Sequence, residues 1–311
     1  MSTVEAKTDL VTPNAAYIRA VKDCLSGTAG GLLQVVVGQP FDTVKVRLQT
    51  MPRPLPGEVP RYTGMLDCVT KTVKNEGVKG LYKGTTMPLV GIGACVSIQF
   101  LTLEHMKREF SKQNEGGPLS LGQLYLAGAI AGTANAFVSG PVEHIRTRLQ
   151  VQTGGSGGLQ YQGPVDCIRK IYSQSGIAGI YRGQTATMVR EFHGFGAYFL
   201  AYEFLVRQAM DRKKVRRDEL PTWQVLMFGA SAGVAMWLSV YPVDLVKSKM
   251  QTDGILSAER NFKSTLECVK KTWRSEGAGG FFRGFGPCML RAAPVNAATF
   301  LGFELAMRAM N

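Results

Sequence analysis

The chain carries one ten-residue motif three times at a spacing of 101 residues, and a fold without three equivalent parts cannot accommodate that. Pro40-Phe41-Asp42-Thr43-Val44-Lys45-Val46-Arg47-Leu48-Gln49 returns as Pro141-Val142-Glu143-His144-Ile145-Arg146-Thr147-Arg148-Leu149-Gln150 and as Pro242-Val243-Asp244-Leu245-Val246-Lys247-Ser248-Lys249-Met250-Gln251. Two further features keep the register. Tyr62, Gly64, Asp67 and Cys68 recur as Tyr161, Gly163, Asp166 and Cys167 and as Phe262, Ser264, Glu267 and Cys268. Glu76-Gly77 leads to Tyr82-Lys83-Gly84, Ser175-Gly176 to Tyr181-Arg182-Gly183, and Glu276-Gly277 to Phe282-Arg283-Gly284. Length alone suggests two domains of ordinary size, but the repeats divide the 311 residues into three.

Each repeat has two stretches poor in charge. Residues 24–41, 124–142 and 221–243 contain no Asp, Glu, Lys or Arg, and each reaches the roughly 17–25 residues a helix needs to cross a bilayer. Residues 84–103 are uncharged as well, whereas their counterparts are broken by Arg190-Glu191 and by Arg291. Six spanning helices are expected. The proline ending each odd stretch predicts a bend or break there. Gly27 and Gly31 recur as Gly128 and Gly132 and as Gly229 and Gly233, small-xxx-small faces expected to let helix backbones approach closely in lipid.

A net charge of +13 with a mean hydropathy of zero fits neither a disordered basic tail nor a wholly apolar bundle. Segments 42–83, 143–182 and 244–283 hold +10 of that charge, so one face of the membrane protein is basic and suited to anionic head groups. No aromatic-interleaved basic strand or zinc motif supports a nucleic-acid partner. The six cysteines include no CxxC pair and read as reduced thiols. Glu5 and Asp9 interrupt the first residues, which resemble neither a secretory signal nor a transit peptide, so any organelle address is expected to be internal.

In each motif an acid and a base three residues later share one helical face. With three such helices in a ring, the acid of one meets the base of the next: Asp42 with Arg146, Glu143 with Lys247 and Asp244 with Lys45. Exposed ion pairs stabilise by only about 0–1 kcal/mol, so this ring is expected to be a gate weak enough for a ligand to open.

At these residues the sequence resembles the mitochondrial carrier family, over about residues 18–310. The resemblance implies an all-α, multi-pass protein of the mitochondrial inner membrane. Its six tilted transmembrane helices would form three pseudo-repeats (18–112, 119–211 and 221–310), with three short helices on the matrix side and alternating access to one central site. Gln49, Gln150 and Gln251 fall where the family braces each pair. Gly64, Gly84, Gly163, Gly183 and Gly284 fall at family cardiolipin sites, helix starts whose free N–H groups favour anions; Ser264 departs from that pattern. On the opposite, cytoplasmic side, Glu104, Glu203 and Glu304 supply the acids of a second gate. Only Lys107 supplies the matching base, because Val206 and Met307 stand where bases belong. Arg108, Arg207 and Arg308 come one position later, where pairing within a helix is favoured. At most one full interhelical pair is expected there.

Positions where the repeats disagree can read an asymmetric ligand. Gly91, Arg190 and Arg291, followed by Ile92, Glu191 and Ala292, stand midway along the even helices; charges there are functional candidates by default, and the family's substrate contacts coincide with them. The Arg190-Glu191 pair on one helix and Arg291 on another suit a zwitterion: Glu191 can accept an ammonium, and Arg291 a carboxylate. Gln34, Asn135 and Met236 are expected to line the cavity, and His193 to pack. Gln39 is also counted with the substrate site: carnitine carriers usually have histidine before the first motif proline, and Gln39 favours an amino acid such as glutamate or glycine. The alternatives are a carnitine/acylcarnitine carrier and an ornithine-type carrier, although uncharged Gly91 supplies no second carboxylate for a dibasic side chain. A monomer in a cardiolipin-containing membrane, with no cofactor or metal and no catalytic residues, is expected. No nucleophile–base set suggests an enzyme, and a soluble basic binding protein is the opposing class.

Overall fold

The computed structural model describes residues 13–52, 54, 57–115, 117–153, 161–256 and 259–310, with side chains in the first helix described at Lys22 and from Leu25 onward. The described chain is helical throughout. Repeat one comprises α1 (Pro13–Thr50), α2 (Met65–Glu76) and α3 (Thr86–Gln113), and repeat two α4 (Leu121–Val151), α5 (Pro164–Ile180) and α6 (Gln184–Lys213). Repeat three comprises α7 (Thr222–Thr252), α8 (Thr265–Gly280), α9 (Phe285–Leu290) and α10 (Ala292–Met310). Short 3-10 turns at Val78–Tyr82 and Arg217–Glu219 complete it.

Of the bend or break expected at the motif prolines, no break occurs: α1, α4 and α7 run on through Pro40, Pro141 and Pro242. Among the described residues, the one interruption in a long helix falls in repeat three. Pro294 has no N–H to offer the Leu290 carbonyl, and the helix divides into α9 and α10 at that turn. Hydrogen bonds from Arg291 N to Pro287 O (3.1 Å) and from Val295 N to Arg291 O (3.2 Å) carry it across.

Three helices, Val78–Gln113, Leu121–Val151 and Thr222–Thr252, are long and apolar enough to cross a membrane on composition alone. The other three of the six pack beside them and have comparable length, but their polar residues dilute the signal, Arg190 and Glu191 within α6 above all. The motif ends of α1, α4 and α7 meet pairwise, and the even helices pack outside: α3 along α4, α6 along α7 and α9–α10 along α1.

The short helices α2, α5 and α8 tuck one face under the odd helices. Cys68 joins Val44 and Leu48, Cys167 joins Ile145 and Leu149, and Cys268 joins Val246 and Met250, giving one small apolar core per repeat. Each of these thiols is wholly buried. Burial pushes Cys68 and Cys268 up to about 11 and Cys167 up to about 12.

The small-residue faces, alike in sequence, are not alike in use. A methyl group on Gly128 would stand 2.7 Å from the Phe199 ring and 2.9 Å from the Phe195 carbonyl, and one on Gly132 would run into the Glu191 backbone, so α4 lies directly against α6. Gly27, Gly31 and Gly233 face open space, and Gly229 has only the Tyr198 hydroxyl near it. The equal packing expected from the repeats is therefore absent: Phe195, against Gly128 and Gly132, is replaced by Val96 and Asn296 in the other repeats, although Phe199 has counterparts in Phe100 and Phe300. α1 instead closes on α10 through Gly30 and Gly302.

Two outcomes follow from this packing. Gly132→Val should lower the thermal unfolding temperature in detergent through an overpacking cost of about 1–3 kcal/mol, whereas Gly31→Val and Gly233→Val should leave it unchanged. In a Cys24→Ser background, maleimide at neutral pH should label half-buried Cys95 and spare Cys68, Cys167 and Cys268 until the protein is denatured, as read by mass spectrometry.

Candidate transport site and gates

At the motif end, charges from three helices form a ring. Arg146 Nη2 lies 2.7 Å from Asp42 Oδ2, Lys45 Nζ lies 2.7 Å from Asp244 Oδ2, and Lys247 donates to Glu143. Each pair joins two different repeats. The side chains are largely shielded, with 10% and 6% exposure for Lys45 and Asp244. That differs from the exposed, individually weak pairs expected. The helix ends converge tightly enough to exclude water, so parting these charges with nothing in exchange costs far more than at a surface.

The glutamines do not act alike. Gln49 Nε2 donates to Asp244 at 3.0 Å and braces its pair. Gln150 Nε2 turns to the Thr43 hydroxyl at 3.3 Å, and Gln251 Oε1 has no hydrogen-bond partner among the described residues.

The candidate substrate residues lie against this ring. Arg190 reaches Glu143 at 3.1 Å, touches neighbouring Glu191, and holds its Nε 3.8 Å from Asp244. Arg291 Nε stands 3.0 Å from Asp42 Oδ1. Both arginines expected to bind ligand are thus already held by ring carboxylates. Gln39 is buried and uses both ends on the protein: Nε2 donates to the Lys83 carbonyl at 2.7 Å, and Oε1 accepts from Arg146 at 2.6 Å. Gly91 is packed, with Val142 only 2.9 Å from where a methyl group would sit, and Ile92 next to it is half-buried. Gln34 meets Thr299 at 3.5 Å, Asn135 is buried with no partner for its Oδ1 among the described residues, and Met236 lies near Gly194. His193 Nδ1 shares a 3.0 Å hydrogen bond with Tyr125 of α4, a packing contact.

Trp237 is a residue that motif reasoning missed: the Lys45 ammonium sits 4.3 Å above its ring and 5.5 Å from that of Tyr241. A signal existed, since these aromatics replace Val35 and Ala136, and Gln39 and Gly140, in the other repeats.

At the opposite end the charges pair within helices or with the adjoining loop. Lys107 meets Glu104 at 3.0 Å and Arg207 meets Glu203 at 3.0 Å, while Arg308 holds Glu304 and Arg217 adds to Glu203 at 3.1 Å. No ion pair joins α3, α6 and α10 among the described residues, so this end lacks the cross-links of the other.

Gly84, Gly183 and Gly284 adopt φ of 79°, 81° and 79°, the left-handed region that favours glycine. They also press on the next odd helix: a methyl group would lie 2.9 Å from the Arg146 carbonyl at Gly84 and 2.9 Å from the Lys45 carbonyl at Gly284. Gly64 and Gly163 are different. They precede α2 and α5 in extended backbone, face open space and supply no side-chain cap. Ser264 caps α8 with its own hydroxyl, 3.2 Å from Glu267 N.

Outside the spanning helices, burial would raise the Glu76 carboxyl, but hydrogen bonds from Arg47 and Lys83 hold it below its ordinary range. Burial likewise opposes ionisation of Asp253, and donors from Asn261 and Phe262 outweigh it, holding that carboxyl low.

Three helical repeats, cross-linked by charges at one end only, define a membrane carrier. Successive stretches 17–114, 117–213 and 218–311 match the family described as mitochondrial carrier protein, and the chain belongs to that family. It is 51% identical over 295 residues to a glutamate/glycine mitochondrial carrier of Schizosaccharomyces pombe, covering 94% of this chain and 96% of that one. It is 48% identical over 300 residues to a mitochondrial glycine transporter of Saccharomyces cerevisiae, covering 95% and 94%. Against the human mitochondrial carnitine/acylcarnitine carrier the identity is 38% over 294 residues, covering 94% and 96%.

If the ring is a gate, Asp42→Arg should abolish exchange in reconstituted liposomes, and Arg146→Asp in the same chain should restore part of it by reversing the pair.

Proposed function

We propose that the protein is a monomeric, multi-pass carrier of the mitochondrial inner membrane that moves a small zwitterionic metabolite, an amino acid of the glutamate or glycine kind, by alternating access. The observation that carries this reading is the contact of Arg190 and Arg291 with the ring carboxylates Glu143 and Asp42. A substrate carboxylate arriving at Arg291 competes with Asp42, and a substrate ammonium arriving at Glu191 competes with Arg190. Binding therefore exchanges the contacts of Arg190 and Arg291 for ligand contacts and redistributes charge on the ring carboxylates without stranding either arginine, which couples the ligand to the gate through Asp42 and Glu143. No bond in the substrate is made or broken. The ring of Asp42, Lys45, Glu143, Arg146, Asp244 and Lys247 is the matrix gate, with Gln49 its brace. Glu104, Lys107, Glu203 and Glu304 line the cytoplasmic gate, which stands unpaired across helices.

Relatives named for glutamate and glycine at about half identity support the amino-acid reading over the more distant carnitine relatives. Gln39 no longer discriminates between them by contact, because Arg146 and Lys83 occupy it. Anionic lipid head groups such as those of cardiolipin suit the helix starts at Gly64 and Gly163, which carry no side-chain cap, and the glycine turns at 84, 183 and 284. The start of α8, filled by Ser264, suits them less.

Uptake of labelled glutamate, glycine, carnitine and ornithine into liposomes loaded with the same panel tests the reading. Amino-acid uptake is expected, lost in Arg291→Ala and sharply reduced in Glu191→Gln while both variants stay folded. Carnitine uptake without amino-acid uptake would overturn it.

A further inference from the structure

The repeats handle one charge differently. Lys83 and Arg283, each just before the glycine that starts an even helix, pair with a glutamate of their own repeat, Lys83 with Glu76 at 2.5 Å and Arg283 with Glu276 at 3.2 Å. Repeat two has Ser175 in that place. Arg182 turns instead to the next repeat and meets the carboxylate of Asp253, just past α7, at 2.5 Å, with side-chain exposures of 8% and 0%.

The residues around Asp253 are docked in repeat two as well. Arg148 donates to the Asp253 carbonyl at 2.7 Å, the Ser175 hydroxyl donates to the Ile255 carbonyl at 3.1 Å, and the Ile255 side chain is buried in the apolar core of repeat two with Ile145, Cys167 and Ile171. Asn261 and Phe262 complete the cradle with backbone N–H donors to the Asp253 carboxylate. At the equivalent places of the other two boundaries the cation reaches only a neutral carbonyl: Lys83 to Gln152 at 2.9 Å and Arg283 to Met51 at 3.3 Å.

We propose that Arg182 and Asp253 form a fourth ionic lock on the matrix side, beyond the ring of motif pairs and confined to the boundary between repeats two and three, that biases the carrier toward its matrix-closed state. Asp253 trails α7, while Arg182 belongs to the segment held under α4 by the core of repeat two. Separating Glu143 on α4 from Lys247 on α7 pulls the two apart. A buried charge-assisted bond resists that separation more than a bond to a carbonyl does, so this boundary is the stiffest of the three. The inference rests on the alternating-access reading: absence of all transport by the wild-type protein would remove that reading, whereas the variants below judge the lock alone.

The test is the KM for labelled glycine and glutamate on each face of uniformly oriented liposomes. Asp253→Asn should raise the cytoplasmic-face KM and lower the matrix-face KM, shifting their ratio by about fivefold or more as the matrix-closed population falls. Ser175→Glu added to Asp253→Asn returns to Arg182 a partner within its own repeat and so restores the buried charge balance without the cross-link. The double variant should therefore unfold at the wild-type temperature and keep the shifted ratio. A wild-type ratio in the double variant would mean the pair merely maintains structure, and would overturn the lock.

Discussion

Asp244 keeps 6% of its side-chain surface in contact with solvent and its partner Lys45 keeps 10%, so neither charge can be held by water and each depends on the other. Around the rest of the ring the shielding is less complete, with Glu143 30% and Arg146 20% exposed. Six charges from three helix ends are tolerable only while each faces an opposite charge from a neighbouring repeat. That requirement brings the motif ends of α1, α4 and α7 together, and the cores built on Cys68, Cys167 and Cys268 hold those ends in register from below.

The two arginines above the ring are drawn into the same dependence. Arg291 shares Asp42 with Arg146, and Arg190 shares Glu143 with Lys247. Carboxylates with two claimants couple the arginines to the ring, since any change at the upper cation alters how each carboxylate is shared with the lower one. Lys45 adds an aromatic contact with Trp237 that, among the described residues, the other ring cations lack, so the three pairs differ in their surroundings although their motif is one.

Much of this was legible because the motif itself encodes the geometry. An acid and a base one turn apart, repeated three times, leave few alternatives to cyclic pairing, and Asp42–Arg146, Glu143–Lys247 and Asp244–Lys45 are the pairs in contact. Features that depend on partners far away in sequence were not legible. The Gly128 and Gly132 face packs because Phe195 and Phe199 stand opposite it, while the identical faces in α1 and α7 have nothing comparable to meet. The place of Gln39 in the motif says nothing of its depth, nor that Lys83 and Arg146 hold the two ends of its amide. The pairing of Arg182 with Asp253 required knowing that the tail of α7 lies under repeat two.

Pro294 gives repeat three a mechanical property its counterparts lack. The Leu290 carbonyl, with no N–H to receive at position 294, leaves the helix compliant one residue before Arg291. The corresponding residues Ala94 and His193 impose no such joint on α3 or α6. A pull on the Arg291 guanidinium is therefore applied beside the softest turn of its helix, so that strain there is relieved by flexing α10 against α9 instead of dragging the whole rod through the membrane.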